Sequence, residues 1–144
     1  MLRKRDQIIA ISIKMFRKRG YVATTMRDIA KKVGMEPASL YNHIESKQDI
    51  LDSSLMQIAD MYTLSMHNVM NLSISAYAKI EQLIGDQINI TFQNMDAVSL
   101  VPSEWIHLEM AKPRFIECRN NYEEGFKLLL TEAINNKEVR NLNI

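Results

Sequence analysis

The sequence predicts an all-α fold, and three observations lead to this prediction. Glycine and proline are scarce, at 4 and 3 of 144 residues, whereas a β-rich fold needs many tight turns. No Asn-Gly or Asp-Gly pair marks a two-residue hairpin. Apolar residues recur at helical spacings of three and four along most of the chain. We therefore expect a three-helix head followed by a helical bundle.

The first helix is predicted over residues 3–19. Ile9, Ile13 and Phe16 stand at positions i, i+4 and i+7, which places them on one helical face. Three successive cations precede Gly20, and cations favour a helix C-terminus. Gly20 is therefore expected to end this helix in the left-handed αL conformation.

A helix-turn-helix is predicted in the next segment. Thr25 and Asp28 have the spacing of a capping box at the start of a second helix. Gly34 ends that helix, because a sharp turn needs a residue without a side chain. Pro37 suits the first position of a third helix, which we expect over about 37–43 with Leu40 facing inward.

The rest of the chain is also predicted to be helical. Ser46 and Asp49 form a second capping-box pattern, which opens a long helix to about Asn71. Prolines at positions 102 and 113 are expected to interrupt the later helices. Those helices are predicted over residues 76–94, with Ile80, Leu83, Ile84, Ile88 and Phe92 on the inner side, and over 103–110 and 115–135.

The charge is divided between two parts of the chain. Residues 1–50 hold eleven Lys or Arg and five Asp or Glu, a net charge of +6. Residues 51–144 hold seven and twelve, a net charge of −5. A basic head on an acidic body indicates that the head meets a polyanion, although chance clustering would give the same division.

The head resembles the N-terminal signature of the tetracycline-repressor (TetR) family over about residues 5–52. The motif runs Gly20-Tyr21, Thr25, Ile29-Ala30, Val33-Gly34-Met35, Ser39-Leu40-Tyr41, His43-Ile44, Lys47 and Ile50-Leu51. The resemblance implies a ligand-responsive DNA-binding regulator, chiefly a repressor that binds a palindromic double-stranded operator as a homodimer. Glu36 and Ala38 depart from the Ser or Thr and the Gly that many members carry in the turn.

The resemblance also implies roles for single residues of the head. The predicted DNA-binding residues are Thr25, Arg27, Pro37, Ala38, Ser39, Tyr41, Asn42, His43 and Lys47. Ala38, Ser39 and Asn42 would read base edges, whereas Tyr41, His43 and Lys47 would hold phosphates. The alternatives are that Thr25 is a helix cap only, that Tyr41 and His43 are structural, and that Lys47 is a solvated charge.

The body offers methionine and aromatic side chains rather than catalytic groups. His67 and His107 lack the spacing of a helical metal site, and Cys118 has no histidine near it in sequence. We predict no enzyme activity, no metal and no cofactor. The predicted ligand-binding residues are Met61, Tyr62, Met66, Phe92, Trp105, Met110 and Tyr122, which suit a hydrophobic effector. The stretch that includes Trp105, Arg119 and Tyr122 resembles the subgroup that responds to fatty acyl-CoA thioesters.

The sequence predicts a DNA-binding domain over 1–47 and a regulatory domain over 48–144. Members of the family are usually longer, so we expect either a truncated regulatory domain or a short variant that dimerises differently. If the dimer interface is missing, apolar faces on the helices after Ala76 should be exposed. No membrane span is predicted, and the default location is the cytoplasm. A helical protein–protein adaptor is the alternative function, but it leaves the basic head unexplained.

Overall fold

The computed structural model describes residues 3–140, and within that range the regular secondary structure is entirely helical. The all-α prediction is confirmed. The helices are α1 (Lys4–Arg19), α2 (Met26–Val33), α3 (Pro37–Tyr41), α4 (Lys47–Met70), α5 (Ala76–Gln93), α6 (Met95–Val98), α7 (Val101–Glu104), a 3₁₀ turn (Trp105–His107) and α8 (Lys112–Asn135). No helix among these described residues is long and apolar enough to cross a membrane.

The described residues divide into two compact units. The first unit contains residues 3–57 together with 95–112, and the second contains 58–94 together with 113–140. Segment 95–112 therefore packs with the N-terminal helices, although it follows α5 in sequence. The predicted functional boundary between residues 47 and 48 remains a prediction, because compactness alone does not divide function.

The first unit has a closed apolar core. Each of its first four helices contributes at least one side chain that is no more than 1% exposed, and these are Ile8, Phe16, Ile29, Leu40, Ile44, Ile50, Leu51 and Leu55. The ring of Phe16 also meets the ring of Tyr21 edge-on, with 5.2 Å between centroids. Burial of such side chains is worth about 1.5–3 kcal/mol each. This core holds α3 against α1, α2 and α4.

The capping residues of α2 have the predicted arrangement. The Thr25 hydroxyl accepts a hydrogen bond from the Asp28 amide, and the Asp28 carboxylate accepts one from the Thr25 amide. Gly34 ends the helix with φ 76° and ψ 38°, in the αL region. Gly20 differs from the prediction. Its φ of 86° is positive but its ψ is 150°, so it leaves α1 in an extended conformation that only glycine adopts readily.

Two further predictions need correction at α3 and α4. Helix α3 ends at Tyr41, so Asn42 and His43 lie in the following turn rather than in the helix. The capping box at α4 is only half formed. The Ser46 hydroxyl accepts from the Asp49 amide at 3.0 Å, but the Asp49 carboxylate is bound at 2.6 Å by Arg5 instead of reaching back to Ser46. The other oxygen of the Asp49 carboxylate, Oδ2, accepts a hydrogen bond from the Glu45 amide at 3.3 Å, one residue before Ser46.

The second unit packs the later part of α4 against α5 and α8. Its buried cluster consists of Met66, Val69, Ala76, Ile80, Leu83, Leu129 and Ala133. Gly125 of α8 faces Met66 so closely that a Cβ placed there would lie 2.8 Å from the methionine sulfur. The small residue at position 125 therefore permits the close approach of α8 and α4.

One face of α5 is exposed. Ile80 and Leu83 are buried as predicted, but Ile84, Ile88 and Phe92, which were predicted to face inward, are 47%, 65% and 74% exposed. The periodicity identified the helix correctly and its covered face only in part. Exposed apolar side chains after Ala76 are what the sequence led us to expect of this region.

The segment between α5 and α8 is more broken than the sequence predicted. A single helix over 103–110 was expected, but the chain forms α6, α7 and the 3₁₀ turn, and residues 108–111 are not helical. Pro102 lies within the first turn of α7 rather than breaking a helix. Pro113 likewise lies in the first turn of α8, where no intrahelical N–H donor is required. Helix α8 therefore begins at Lys112, before the predicted start.

Candidate nucleic-acid interface

Helix α3 presents a short polar surface supported by two buried anchors. Leu40 and Ile44 are 0% and 1% exposed, so they fix α3 and the turn after it to the core. The side chains around Leu40 are all exposed, and they are Glu36, Pro37, Ala38, Ser39, Tyr41, Asn42 and His43. The predicted base readers and phosphate ligands of this segment are therefore all accessible to solvent. A helix of this width fits the major groove of DNA.

Thr25 lies at the N-terminus of α2, but its polar groups are already engaged. Its amide and its hydroxyl donate to Asp28 Oδ2 at 3.0 and 2.6 Å. Those two hydrogen bonds lower the pKa of Asp28, and the charges of Arg19 and Lys31 lower it further. The capping role of Thr25 is thus present in the structure. A phosphate contact by the hydroxyl remains a prediction and would compete with Asp28 for its proton.

Lys47 packs against the turn between α1 and α2. Its ammonium donates to the carbonyl oxygens of Tyr21 and Val22, at 2.9 and 3.4 Å, and lies 4.3 Å from the centroid of the Tyr21 ring. These two carbonyls engage two of the three N–H donors of the ammonium, so a phosphate contact would use the third donor or displace a carbonyl. We therefore regard Lys47 first as a residue that positions this turn, while its predicted role as a phosphate clamp stays a prediction.

Tyr21 is the centre of a small network in the first unit. Its hydroxyl donates to Gln48 Oε1 at 2.7 Å, and the Gln48 amide in turn donates to the carbonyl of His107 at 2.8 Å. Burial raises the pKa of the Tyr21 hydroxyl, with smaller contributions from Glu109, Asp52 and Glu104. The phenol therefore stays protonated and keeps donating its hydrogen bond at neutral pH. Segment 95–112 is attached to the turn through this network.

A second attachment joins the same segment to α1. Arg17 and Asp96 form an exposed ion pair at 2.6 Å. No local sequence pattern predicts this pair or the Gln48–His107 hydrogen bond, because both join residues more than fifty positions apart.

Glu36 is a candidate functional residue that was not among the predicted DNA-binding residues. It occupies the N-cap position of α3, but its side chain makes no capping hydrogen bond and is exposed. A free carboxylate at this position can accept a hydrogen bond from the exocyclic amine of cytosine. Arg27, which was predicted, is also exposed and lies in the first turn of α2.

The predicted ligand-binding residues fall in both units. Trp105 and Met110 belong to the first unit, where the Lys112 ammonium lies 5.5 Å from the centroid of the Trp105 ring and Met110 is 91% exposed. The other five belong to the second unit, and they are Met61, Tyr62, Met66, Phe92 and Tyr122.

Within the second unit the structure brings Tyr62 and Tyr122 together. Their rings meet edge-on with 5.7 Å between centroids, and the Tyr62 hydroxyl lies 3.0 Å from the Thr91 hydroxyl. Burial raises the pKa of Tyr122, and nearby Tyr62 and Asp86 raise it further. Tyr122 also lines an open cavity of about 370 Å³ with Gln87, Arg119, Glu123, Phe126 and Lys127. Phe92 points to solvent, and Met66 is part of the buried cluster.

The fold of the first unit defines the class of this part of the chain. Helix α2, the αL turn at Gly34 and the exposed helix α3 form a helix-turn-helix supported by α1 and the start of α4. Residues 8–53 match the family described as "Bacterial regulatory proteins, tetR family". The chain therefore carries the N-terminal domain of the TetR family.

Similar proteins extend this comparison beyond the head. The chain is 30% identical over 112 residues to the HTH-type transcriptional repressor KstR2 of Rhodococcus jostii (strain RHA1), which covers 78% of this chain and 54% of the relative. The chain thus spans about half the length of this curated relative.

Solved structures of low sequence identity share the fold. The probable transcriptional regulatory protein RHA5900 matches with a TM-score of 0.90 at 24% identity, over 98% of this chain and 76% of that one. AibR, solved in complex with isovaleryl coenzyme A and operator DNA, matches with a TM-score of 0.81 at 17% identity, over 97% and 77%. These likenesses show that the chain shares the helical fold of both structures.

Proposed function

We propose that this chain is part of a transcriptional repressor that binds operator DNA through the exposed surface of α3. The observation that carries the proposal is the helix-turn-helix within residues 8–53, where the family model matches and α3 exposes its polar side chains around buried Leu40. Two copies would bind the two halves of a palindromic operator, since paired recognition helices read sites one helical turn apart.

The DNA-binding test separates base contacts from backbone contacts. Operators are selected from a random duplex library, and the affinities of the selected and scrambled duplexes are measured over a range of salt concentrations. Asn42→Ala is expected to change the preference among operators by about 1–3 kcal/mol at one position. Tyr41→Phe is expected to weaken all duplexes alike, because phosphate contacts carry no sequence information.

Lys47→Ala needs a stability control, because Lys47 also binds the Tyr21 and Val22 carbonyls. If it is a clamp, its loss should weaken DNA binding and lower the salt slope by about 0.9 at temperatures where the variant is fully folded. Unchanged affinity and slope would remove the clamp assignment. A chain that binds neither selected nor random duplex would contradict the proposed function and leave the adaptor alternative.

We also propose that the second unit takes part in binding a small hydrophobic effector of the acyl-CoA type. The support is the half-buried pair Tyr62 and Tyr122, which combines aromatic surface with hydroxyl groups, and the methionines of the same unit. Isovaleryl coenzyme A should release the DNA, whereas free coenzyme A should not. Tyr122→Ala should abolish that release without changing DNA affinity in the absence of effector.

A further inference from the structure

A basic groove lies between α1 and α2, and none of the predicted DNA-binding residues lines it. Its cavity measures about 480 Å³. The lining residues are Ile11, Lys14, Met15, Lys18, Arg19, Asp28, Lys31 and Lys32. Five cations and one carboxylate thus line one concave surface, with Ile11 and Met15 as its apolar members.

The single carboxylate in the groove offsets one of the five positive charges, which leaves four uncompensated. Asp28 is committed to the Thr25 amide and hydroxyl, at 3.0 and 2.6 Å. No salt bridge within 4.0 Å involves any of the five cations in the part of the chain that the structure describes. All five side chains are exposed, so they can move toward a ligand. Like charges held together in this way attract anions strongly.

Helix termini explain only part of this arrangement. Lys18 and Arg19 belong to the last turn of α1, and Lys31 and Lys32 to the last turn of α2, where cations favour the helix dipole. Lys14 lies a turn earlier in α1 and gains little from the dipole. The dipole also gives no reason for both sets of cations to line the same cavity.

We propose that this groove binds phosphate groups, with Lys14 and Lys18 of α1 and Lys32 of α2 as its principal ligands. Lysine is a compact cation with three donors, which suits a phosphate approached from several directions. In a docked helix-turn-helix the first helix of the pair crosses the DNA backbone, and here that helix is α2. The phosphates come either from DNA beside the half-site or from a free polyphosphate. The DNA source rests on the proposed function, whereas the free source does not.

The experiment compares two triple variants of the full chain. The test variant is Lys14→Gln, Lys18→Gln and Lys32→Gln. The control variant removes three cations of the second unit, with Lys79→Gln, Arg114→Gln and Lys137→Gln. Both lose the same net charge, and the control variant also loses the Arg114–Asp60 ion pair and the Lys79 hydrogen bond to the Met70 carbonyl, surface contacts that contribute little to stability. Thermal unfolding of each variant checks that it is folded.

The first arm uses inorganic tripolyphosphate as the probe, followed through backbone amide shifts in nuclear magnetic resonance. In the parent and in the control variant, the largest shifts should lie in the second half of α1 and in α2. The test variant should lose these shifts. This arm needs no DNA, so it judges the groove even if the parent binds no duplex and the proposed function fails.

The second arm measures binding of a random duplex over a range of salt concentrations. If the backbone is the source, the test variant should lower the salt slope by about 2 to 3, because each lost phosphate contact removes about 0.9. The control variant should leave the slope unchanged. If the test variant loses tripolyphosphate binding but keeps the salt slope of duplex binding, the groove binds a free polyphosphate rather than the DNA backbone. Equal behaviour of the two variants in both arms would overturn the proposal.

Discussion

The two units of this chain use apolar side chains differently. In the first unit, the inward-facing side chains Phe16, Ile29 and Leu40 are at most 1% exposed. In the second, α5 buries Leu83 completely but leaves Ile88 65% exposed. The first unit is thus closed around its core, while the second keeps an apolar face in contact with solvent. This contrast fits the proposed division into a DNA-binding head and an effector-binding body.

The largest expected effect contrasts a core residue of the head with an exposed residue of the body. Leu40→Ala removes a fully buried side chain and should lower the free energy of unfolding by about 2–5 kcal/mol. Ile88→Ala removes an exposed one and should change it by about 0.5 kcal/mol or less. Urea unfolding at equilibrium measures both. A cost above this range for Ile88→Ala would mean that its face is covered in solution, and the contrast would fail.

The next effect compares the N-caps of α2 and α5. Thr25 belongs to a reciprocal capping box, whereas the Ser75 hydroxyl caps α5 by accepting one hydrogen bond, from the Ala78 amide at 3.2 Å. We expect Thr25→Ala to cost about 1–2 kcal/mol and Ser75→Ala nearer to about 0.5 kcal/mol. Thermal unfolding of the two variants gives the difference. The reverse order would show that the box adds nothing beyond a single hydrogen bond.

A smaller effect distinguishes two helical glycines of the second unit. A Cβ at Gly85 meets nothing within 4 Å, so Gly85→Ala should stabilise the chain by about 0.5–1 kcal/mol. A Cβ at Gly125 meets the Met66 sulfur at 2.8 Å, so Gly125→Ala should destabilise it by about 1 kcal/mol. The contact is tested by making Gly125→Ala in a Met66→Ala background. Without the methionine sulfur, Gly125→Ala should no longer lower the free energy of unfolding. Equal changes in the free energy of unfolding for Gly85→Ala and Gly125→Ala would contradict the packing described for α8.

The smallest effect is a pH dependence of the head. The pKa of Asp28 is lowered below its usual 3.8 by its hydrogen bonds to Thr25. The charged carboxylate therefore stabilises the fold above pH 3.8, and this contribution is lost as the pH falls through the lower folded-state pKa. Asp28→Asn should be less stable than the parent at neutral pH, and the difference should shrink toward pH 3. A difference that is constant over this range would exclude the carboxylate as its cause.

Much of the head could be predicted because its signals are local. A capping box needs only residues three positions apart, and Thr25 and Asp28 supply them within one turn of helix. The exposed surface of α3 followed similarly from the inward position of Leu40. By contrast, Asp49 binds Arg5, 44 residues away, and Lys47 binds carbonyls of the preceding turn. Such partners are brought together only by the packed fold. The sequence therefore could not predict that the capping box of Ser46 and Asp49 is incomplete, or that Lys47 binds the turn between α1 and α2.

The body was less predictable for a related reason. Periodicity located α5 to within a residue, but it could not decide which of Leu83 and Ile84 is covered, because adjacent positions both lie near the apolar stripe. The attachment of segment 95–112 to the head was also missed. It depends on Arg17, Gln48 and His107, whose pairing is visible only in three dimensions.

The position of segment 95–112 has a consequence for how the protein is made. The helix-turn-helix leaves the ribosome early. Gln48, which accepts a hydrogen bond from Tyr21, can donate its own to the His107 carbonyl only after residue 107 has been synthesised. At about 5–20 residues per second, the 55 residues from 57 to 112 take about 3 to 11 s to synthesise. During this interval the nascent head is an incomplete folding unit. The proposed DNA-binding head therefore completes its own contacts only after residues 58–94 of the other unit have been translated.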